Sequence, residues 1–532
     1  MKKLLHVLLA LSLLMSISVM EGKEVSAIGA KQVLRIGVDA IPAVLDPAPA
    51  VHDTASSVIK GLFEGLVRLD ESGQAVPGIA KSWKISNDGK TYTFALRSSA
   101  KWSNQQSVTA SDFEYAWKRA LSPQASNSLA FKMFMIAGAE SYHNGKQKDA
   151  SKVGIKALND YTLQVTLAEK NYTFLQMLAE SIYLPVNAAV AKANKNWASS
   201  TKSFVTNGPF KLAAWDTYKI VLVKNSNYYG AKEIQFSEVQ FLVPSAGSDS
   251  STAAYINGET DWLGGGGTGP LDYSLLSSPT SSELYEMPTG STYFYQFNLS
   301  QAPFNNLKVR QALAMAIDRE ALSYGTPAFG FVPLTIHGTM QTYRSELSDQ
   351  PYFNEDVKTA KKLLQEGLKE AGLARMPEFS IIVNEGNHKF IAAKIINNWE
   401  KNLGVTATVE VQDWEQMLNN RINQNYSIAR AGWTADYNDP ASSLELFASW
   451  SSDNDSGWSN KQYDTYLRQA RQQPEPRERM HLYAKAERLL ISQMAIIPLY
   501  YYTSDVLHKP NIQNVYVDYD ESIDYTRGYF KP

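Results

Sequence analysis

The sequence predicts a mixed α/β fold made of more than one structural unit, and three observations carry that prediction. The chain has 532 residues, beyond the size at which one hydrophobic core keeps growing. Strand-like apolar runs at 33–38, 91–96, 162–167, 220–223, 239–243, 293–297 and 496–501 are scattered over the full length. Segments with helical apolar spacing and recognisable end signals lie between them. With 44% hydrophobic and 20% charged residues, there is ample apolar material for large cores, and the low-hydrophobicity signature of disorder is missing.

Taken in order, Lys2 and Lys3 precede an apolar run at 4–20 and small residues ending at Ala30, the pattern of a secretory signal peptide over 1–30. The rival reading is an uncleaved anchor helix, for which the run is short. A helix is expected at 110–121, where Phe113, Trp117 and Leu121 recur every four residues, Thr109 can cap and Pro123 stops it. Another is expected at 307–322 on Val309, Leu313, Ala316 and Ile317, and a third at 356–371 before Gly372. The helix expected at 388–403 carries Ile391, Ile395 and Trp399 as its core stripe and ends at Gly404. His388 then sits in a first turn whose free N–H groups favour an anionic ligand group; an exposed histidine beside a cap is the other reading.

The 51 basic residues against 53 acidic ones create no basic field, which excludes nucleic acid as a partner. The 11 Trp, 29 Tyr and 20 Phe can line either cores or ligand pockets. Zero cysteines exclude disulfides, thiolate metal sites, a cysteine nucleophile and a lipidated N-terminal cysteine. There is no H-E-x-x-H and no G-x-S-x-G. The glycines at 264–267 lead into Thr268, Gly269 and Pro270, not into a phosphate-binding lysine, so this is a flexible or closely approached loop. Seven dispersed histidines include no pair at ligand spacing, so neither a metal nor another cofactor is expected.

The densest group of unusual residues is SIARAGWTADYNDP at 427–440. In a strand at 428–433, period two places Arg430 with Ile428 and Gly432 on one face and Trp433 on the other. Asp436, Tyr437, Asn438 and Asp439 follow in a loop. Upstream, Trp414 and Arg421 are seven residues apart, two helical turns, and can share one side. Each of these residues also fits a structural role: a strand-end salt bridge, an Asx turn, a core tryptophan.

Long ordered blocks resemble the extracellular oligopeptide-binding and dipeptide-binding proteins of bacterial ABC importers. They are LFEGLVRLDESGQAVPGIAKSW at 62–83, DGKTYTFALRSSAKWS at 88–103, VTASDFEYAWKRALSP at 108–123, VTNGPFKLAAW at 205–215, FNNLKVRQALAMAIDR at 304–319, KNLGVTATVEVQDW at 401–414 and ARAGWTADYNDP at 429–440. The resemblance implies a large, two-lobed, three-domain periplasmic-binding-protein fold with the ligand cleft between lobes. Domain I would combine 31–63, 204–294 and 504–532; domain II would span 64–203 and domain III 295–503. It implies that Asp436 pairs with the α-ammonium of a peptide, with Arg430, Gly432, Trp433, Tyr437, Trp414, Arg421 and His388 around the ligand. The segment at 50–54, with Val51, His52 and Asp53, would act as a strand bonding the peptide main chain.

The implied function is capture of short peptides outside the cytoplasm and delivery to the permease subunits of an ABC importer, by a monomeric protein that is not an enzyme. A cell-wall peptide, a signalling peptide or another small solute is the alternative ligand. An exported peptidase would need a nucleophile or metal constellation. Three departures from the family pattern stand out. Gly264 and Gly265 occupy positions where relatives often place larger residues near the ligand, and no lysine follows Asp318 and Arg319 in ALSYGTPAFG. The lipobox cysteine is also missing, which implies a periplasmic or secreted protein without a lipid tether.

Overall fold

The computed structural model describes residues 32–49, 53–70, 73–125, 127–244, 250–269, 271–347 and 351–531. The expected signal peptide, Val51 and His52 lie outside the described residues, as does the side chain of Asp53. Among the described residues no helix is long and apolar enough to cross a membrane.

The α/β class is as the sequence predicts. A mixed sheet of 11 strands runs in the order Thr408–Gln412, Ser380–Asn384, Ile428–Thr434, Leu284–Phe297, Ile496–His508, Trp262–Leu263, Val33–Gly37, Glu238–Leu242, Lys219–Lys224 and Phe210–Trp215, with Thr326–Pro327 beside Ile496–His508. A separate four-stranded antiparallel sheet contains Ala80–Ile85, Thr91–Leu96, Thr162–Thr166 and Ile155–Asn159. Helix Ala110–Ala120 packs on it with Phe113 and Trp117 fully buried. As expected, Thr109 is its cap, and Asp112 accepts from the Thr109 N–H at 2.9 Å and from its hydroxyl at 3.0 Å.

The large sheet is held together by its two longest strands, Leu284–Phe297 and Ile496–His508, of which the sequence revealed only one end each. Their register shifts between Pro288 and Thr292, where Pro288 has no N–H to give the ladder. The expected domain boundaries at 294/295 and 503/504 fall inside these strands, so the sheet is continuous across them.

The helices that flank this sheet follow local end signals where nothing overrides them. His388–Leu403 ends at Gly404, whose φ of 68° is left-handed and favours glycine. Val357–Glu370 starts after Asp356, which accepts from the Thr359 N–H at 3.0 Å. The helix expected to reach 322 stops at Met315 instead. The reason is Arg319: it is fully buried, and its guanidinium donates to the carbonyls of Ala314 at 3.1 Å, Ile317 at 3.3 Å and Pro498 at 2.9 Å. The Ala314 and Ile317 carbonyls then bind arginine rather than a continuing helix.

Candidate functional site

Strand Ile428–Thr434 lies between Ser380–Asn384 and Leu284–Phe297, and its two faces meet different surroundings. Cross-strand pairs Tyr295 with Arg430 and Tyr293 with Gly432 share one face, whereas Thr292 with Trp433 share the other. The predicted split of Arg430 from Trp433 is therefore realised. After Thr434 the chain turns into the short helix Pro440–Leu444, capped by Asp439, which accepts from the Ala441 N–H at 2.9 Å. Ser442 ties the turn together: its hydroxyl accepts from the Asp436 N–H at 2.5 Å, and its carbonyl accepts from the Trp433 indole at 3.0 Å. Asp436 is thus held at the strand end by main-chain bonds that leave its carboxylate unused.

That carboxylate is 29% exposed and accepts no hydrogen bond among the described residues. Lys132 Nζ stands 4.0 Å from its Oδ1, donates to the Asp436 carbonyl at 2.7 Å and to Glu180 at 3.2 Å. The Tyr519 hydroxyl also donates to Glu180 and lies 3.5 Å from the Asp436 carbonyl. Burial raises the pKa of Asp436 above the ordinary carboxylate value; Lys132 opposes this and Asp453 adds to it. Glu180 is likewise raised by burial, against Lys132 and Tyr519. Lys132 faces the two carboxylates of Asp436 and Glu180, so this trio is short of one positive charge, and Asp453 beside Asp436 and Asp520 beside Glu180 add to the negative field.

On the Arg430 face the charge is reversed. The Arg430 guanidinium donates to the Tyr502 hydroxyl at 3.1 Å, lies 5.1 Å from the centre of the Tyr293 ring, and has no carboxylate partner among the described residues. Its Nε is buried without a hydrogen bond. His388 stacks on Tyr293 at 5.6 Å, and its Nδ1 is 3.2 Å from the Tyr293 hydroxyl. Burial and the Arg430 charge lower its pKa to about 4, so this imidazole is neutral at physiological pH. Gly432 leaves room on this face: a Cβ there would meet the Arg430 guanidinium at 3.4 Å and the Tyr502 hydroxyl at 3.6 Å.

The other expected site residues are placed differently. Arg421 is already paired with Asp455 at 2.7 Å. Trp414 opens helix Trp414–Ile422 with its ring 54% exposed. Tyr437 is only 9% exposed and belongs to the cluster of Phe447 and Tyr483, so it is core. Of segment 50–54, the described part begins helix Asp53–Leu62 rather than a strand. The glycine loop reaches this helix through Gly267, whose carbonyl accepts from Thr54 at 3.4 Å, whereas Gly264 and Gly265 lie against the strand Ile496–His508 and the C-terminal segment, the Gly265 N–H donating to Ser504 at 3.3 Å.

Sequence reading missed Lys132, Glu180, Tyr519, Tyr293 and Tyr502. No local pattern marks them, because Lys132 and Asp436 are 304 positions apart in the chain.

Three comparisons place the chain. The sequence profile of the bacterial extracellular solute-binding proteins, family 5 Middle, matches residues 74–455. The oligopeptide-binding protein OppA of Bacillus subtilis is 34% identical over 526 residues, 96% of this chain and 94% of its own length. Among solved structures, the unliganded open form of the murein tripeptide-binding protein MppA superposes with a TM-score of 0.83 at 29% identity, covering 94% of this chain and 98% of that one. Haemophilus influenzae OppA in complex with RPPGFSPFR gives 0.68 at 30% identity, covering 94% and 99%. The chain belongs to the bacterial extracellular solute-binding proteins, family 5, and is a binding protein rather than an enzyme.

Proposed function

We propose that this protein binds short peptides outside the cytoplasm and delivers them to the permease subunits of an ABC importer. The observation that carries the reading is the pairing of two charges unmet among the described residues around one strand: a carboxylate cluster short of one cation at Asp436, and the Arg430 guanidinium without a counter-ion. A ligand with an ammonium at one end and a carboxylate at the other meets both. Four strand residues, about 13 Å at ~3.3 Å each, separate Arg430 from the strand end, a span suited to a few peptide residues. The exposed Trp414 offers a flat wall for a side chain.

In this reading 31–63, 204–294 and 504–532 act with 64–203 as one lobe and 295–503 as the other, the protein is a monomer, and the ligand draws the lobes together. The greater likeness to an open unliganded relative supports treating the present arrangement as open. The polypeptide has no cysteine to carry a lipid, so we place it free in the periplasm or secreted. A cell-wall peptide is the second reading, favoured by the likeness to MppA.

Calorimetry with tri-alanine tests the reading. Asp436→Ala is expected to weaken binding by about 3–5 kcal/mol, the scale of breaking a buried pair. Unchanged affinity would remove Asp436 from the site, and binding of murein tripeptide alone would select the second reading.

A further inference from the structure

We propose that Lys132 is a positioning residue for the ligand anchor: its charge favours the ionised form of Asp436 before any ligand arrives, and it pins the Asp436 turn to the segment that carries Glu180. The geometry points this way. Lys132 Nζ reaches the Asp436 carbonyl at 2.7 Å, Glu180 at 3.2 Å and the Asp436 carboxylate at 4.0 Å. The first distance is a full hydrogen bond that fixes the backbone, while the last is a charge contact that leaves the carboxylate oxygens open to a second cation. Lys132 is itself held, with its side chain 10% exposed and its carbonyl accepting from the Tyr183 hydroxyl at 2.7 Å. It sits in the turn Ala130–Met133, whose flanking Ala130 and Met133 are buried, so it cannot swing away without disturbing that turn.

The charges acting on Asp436 are Lys132 from that turn and Asp453; Glu180 and Asp520 act on Lys132, Asp520 lies 3.8 Å from Lys60, and the neutral Tyr519 hydroxyl lies against the Asp436 carbonyl. Lys132 is the cation of the pair acting on Asp436. Burial works against the Lys132 charge, but Glu180 and Asp436 overcome this and keep its pKa above the ordinary lysine value. Burial raises Asp436, and Lys132 offsets part of that rise. Without Lys132, Asp436 would hold its proton to higher pH. A carboxylate shared between a fixed lysine and an incoming ammonium is the arrangement this geometry prepares. Only this last, ligand-related consequence rests on the peptide reading above.

The primary test needs no ligand. In protein labelled with ¹³C at aspartate carboxyls, the Asp436 resonance is identified by its loss in Asp436→Asn and titrated. Lys132→Gln is expected to raise the Asp436 pKa by about one unit, the low end for loss of an opposite charge within about 4–6 Å, and Lys132→Arg to restore it. An unchanged Asp436 pKa in folded Lys132→Gln overturns the proposal. Should that variant not fold, the reciprocal measurement decides: the Lys132 ammonium pKa must fall in Asp436→Asn, and its constancy overturns the proposal equally.

In the ligand arm, tri-alanine affinity declines as pH falls through the Asp436 pKa, and Lys132→Gln moves that decline to higher pH by the same amount. A purely structural role for Lys132 would lower affinity at every pH without moving the limb, and that result counts against the proposal. Failure of the wild-type protein to bind any free-amine peptide would remove the peptide reading while leaving the carboxylate titration to decide on Lys132.

Discussion

Arg430 and His388 share one aromatic pocket wall but carry different charges. The Arg430 guanidinium lies beside Tyr293 and Tyr502 with no carboxylate partner among the described residues, whereas His388 is neutral because burial and Arg430 bring its pKa to about 4. Arg430→Gln should therefore weaken free-acid peptides by about 2 kcal/mol, the scale of a hydrogen bond to a charged group, and leave C-terminal amides unaffected. Equal losses for acid and amide in calorimetry would show that Arg430 does not meet the carboxylate. The His388 contribution has a definite sign. Its depressed pKa favours the folded state fully above pH 6.5, and that contribution is lost as pH falls toward about 4. Peptide affinity should show no imidazole step between pH 6.5 and about 8, a range readable in the same titrations. Motif residues such as Arg430 and Asp436 were visible in the sequence because they lie close together along it. Lys132 was not visible, since only folding brings it across 304 positions to Asp436.

At the scale of elements, helix His388–Leu403 was legible to both ends because its stripe and its glycine stop are local signals. The helix predicted to run to 322 was read too long, since apolar spacing continues through Ala316 and Ile317 and only the buried Arg319 guanidinium diverts the carbonyls. Strand Leu284–Phe297 was read only at its end, because Glu286, Pro288 and Gly290 break the apolar pattern that a partner strand nevertheless accepts. Segment 50–54 reversed expectation where it is described, becoming the start of a helix. The glycine loop beside that helix supplies the element-scale prediction. Gly264 has φ of 125°, and a Cβ there would approach the Asp505 carbonyl at 2.5 Å. Gly264→Ala should lower stability by about 1–3 kcal/mol through backbone strain, seen as a lower melting temperature. An unchanged melting temperature would show that the loop relaxes freely.

For the whole molecule, the strands Leu284–Phe297 and Ile496–His508 run through both expected boundaries, so any relative motion of lobes must bend these strands. The register shift between Pro288 and Thr292 is where that ladder is already interrupted. Tri-alanine should therefore reduce the radius of gyration measured by small-angle X-ray scattering, and Asp436→Ala should abolish the change. Binding by calorimetry with an identical scattering curve would mean that ligand capture proceeds without closure.

The sequence alone determined the α/β class, the balance of charge, the cysteine-free chemistry, and the strand and turn that present Arg430 and Asp436, because periodicity, composition and short-range spacing act over a few residues. Tertiary structure decided which charges are left unmet. Arg421 is neutralised by Asp455, His388 loses its proton to burial beside Arg430, and Asp436 gains Lys132 from a distant turn. Desolvation and Coulomb interactions depend on distances that only the folded chain sets, so the ionic character of the site is a property of the fold and not of the motif.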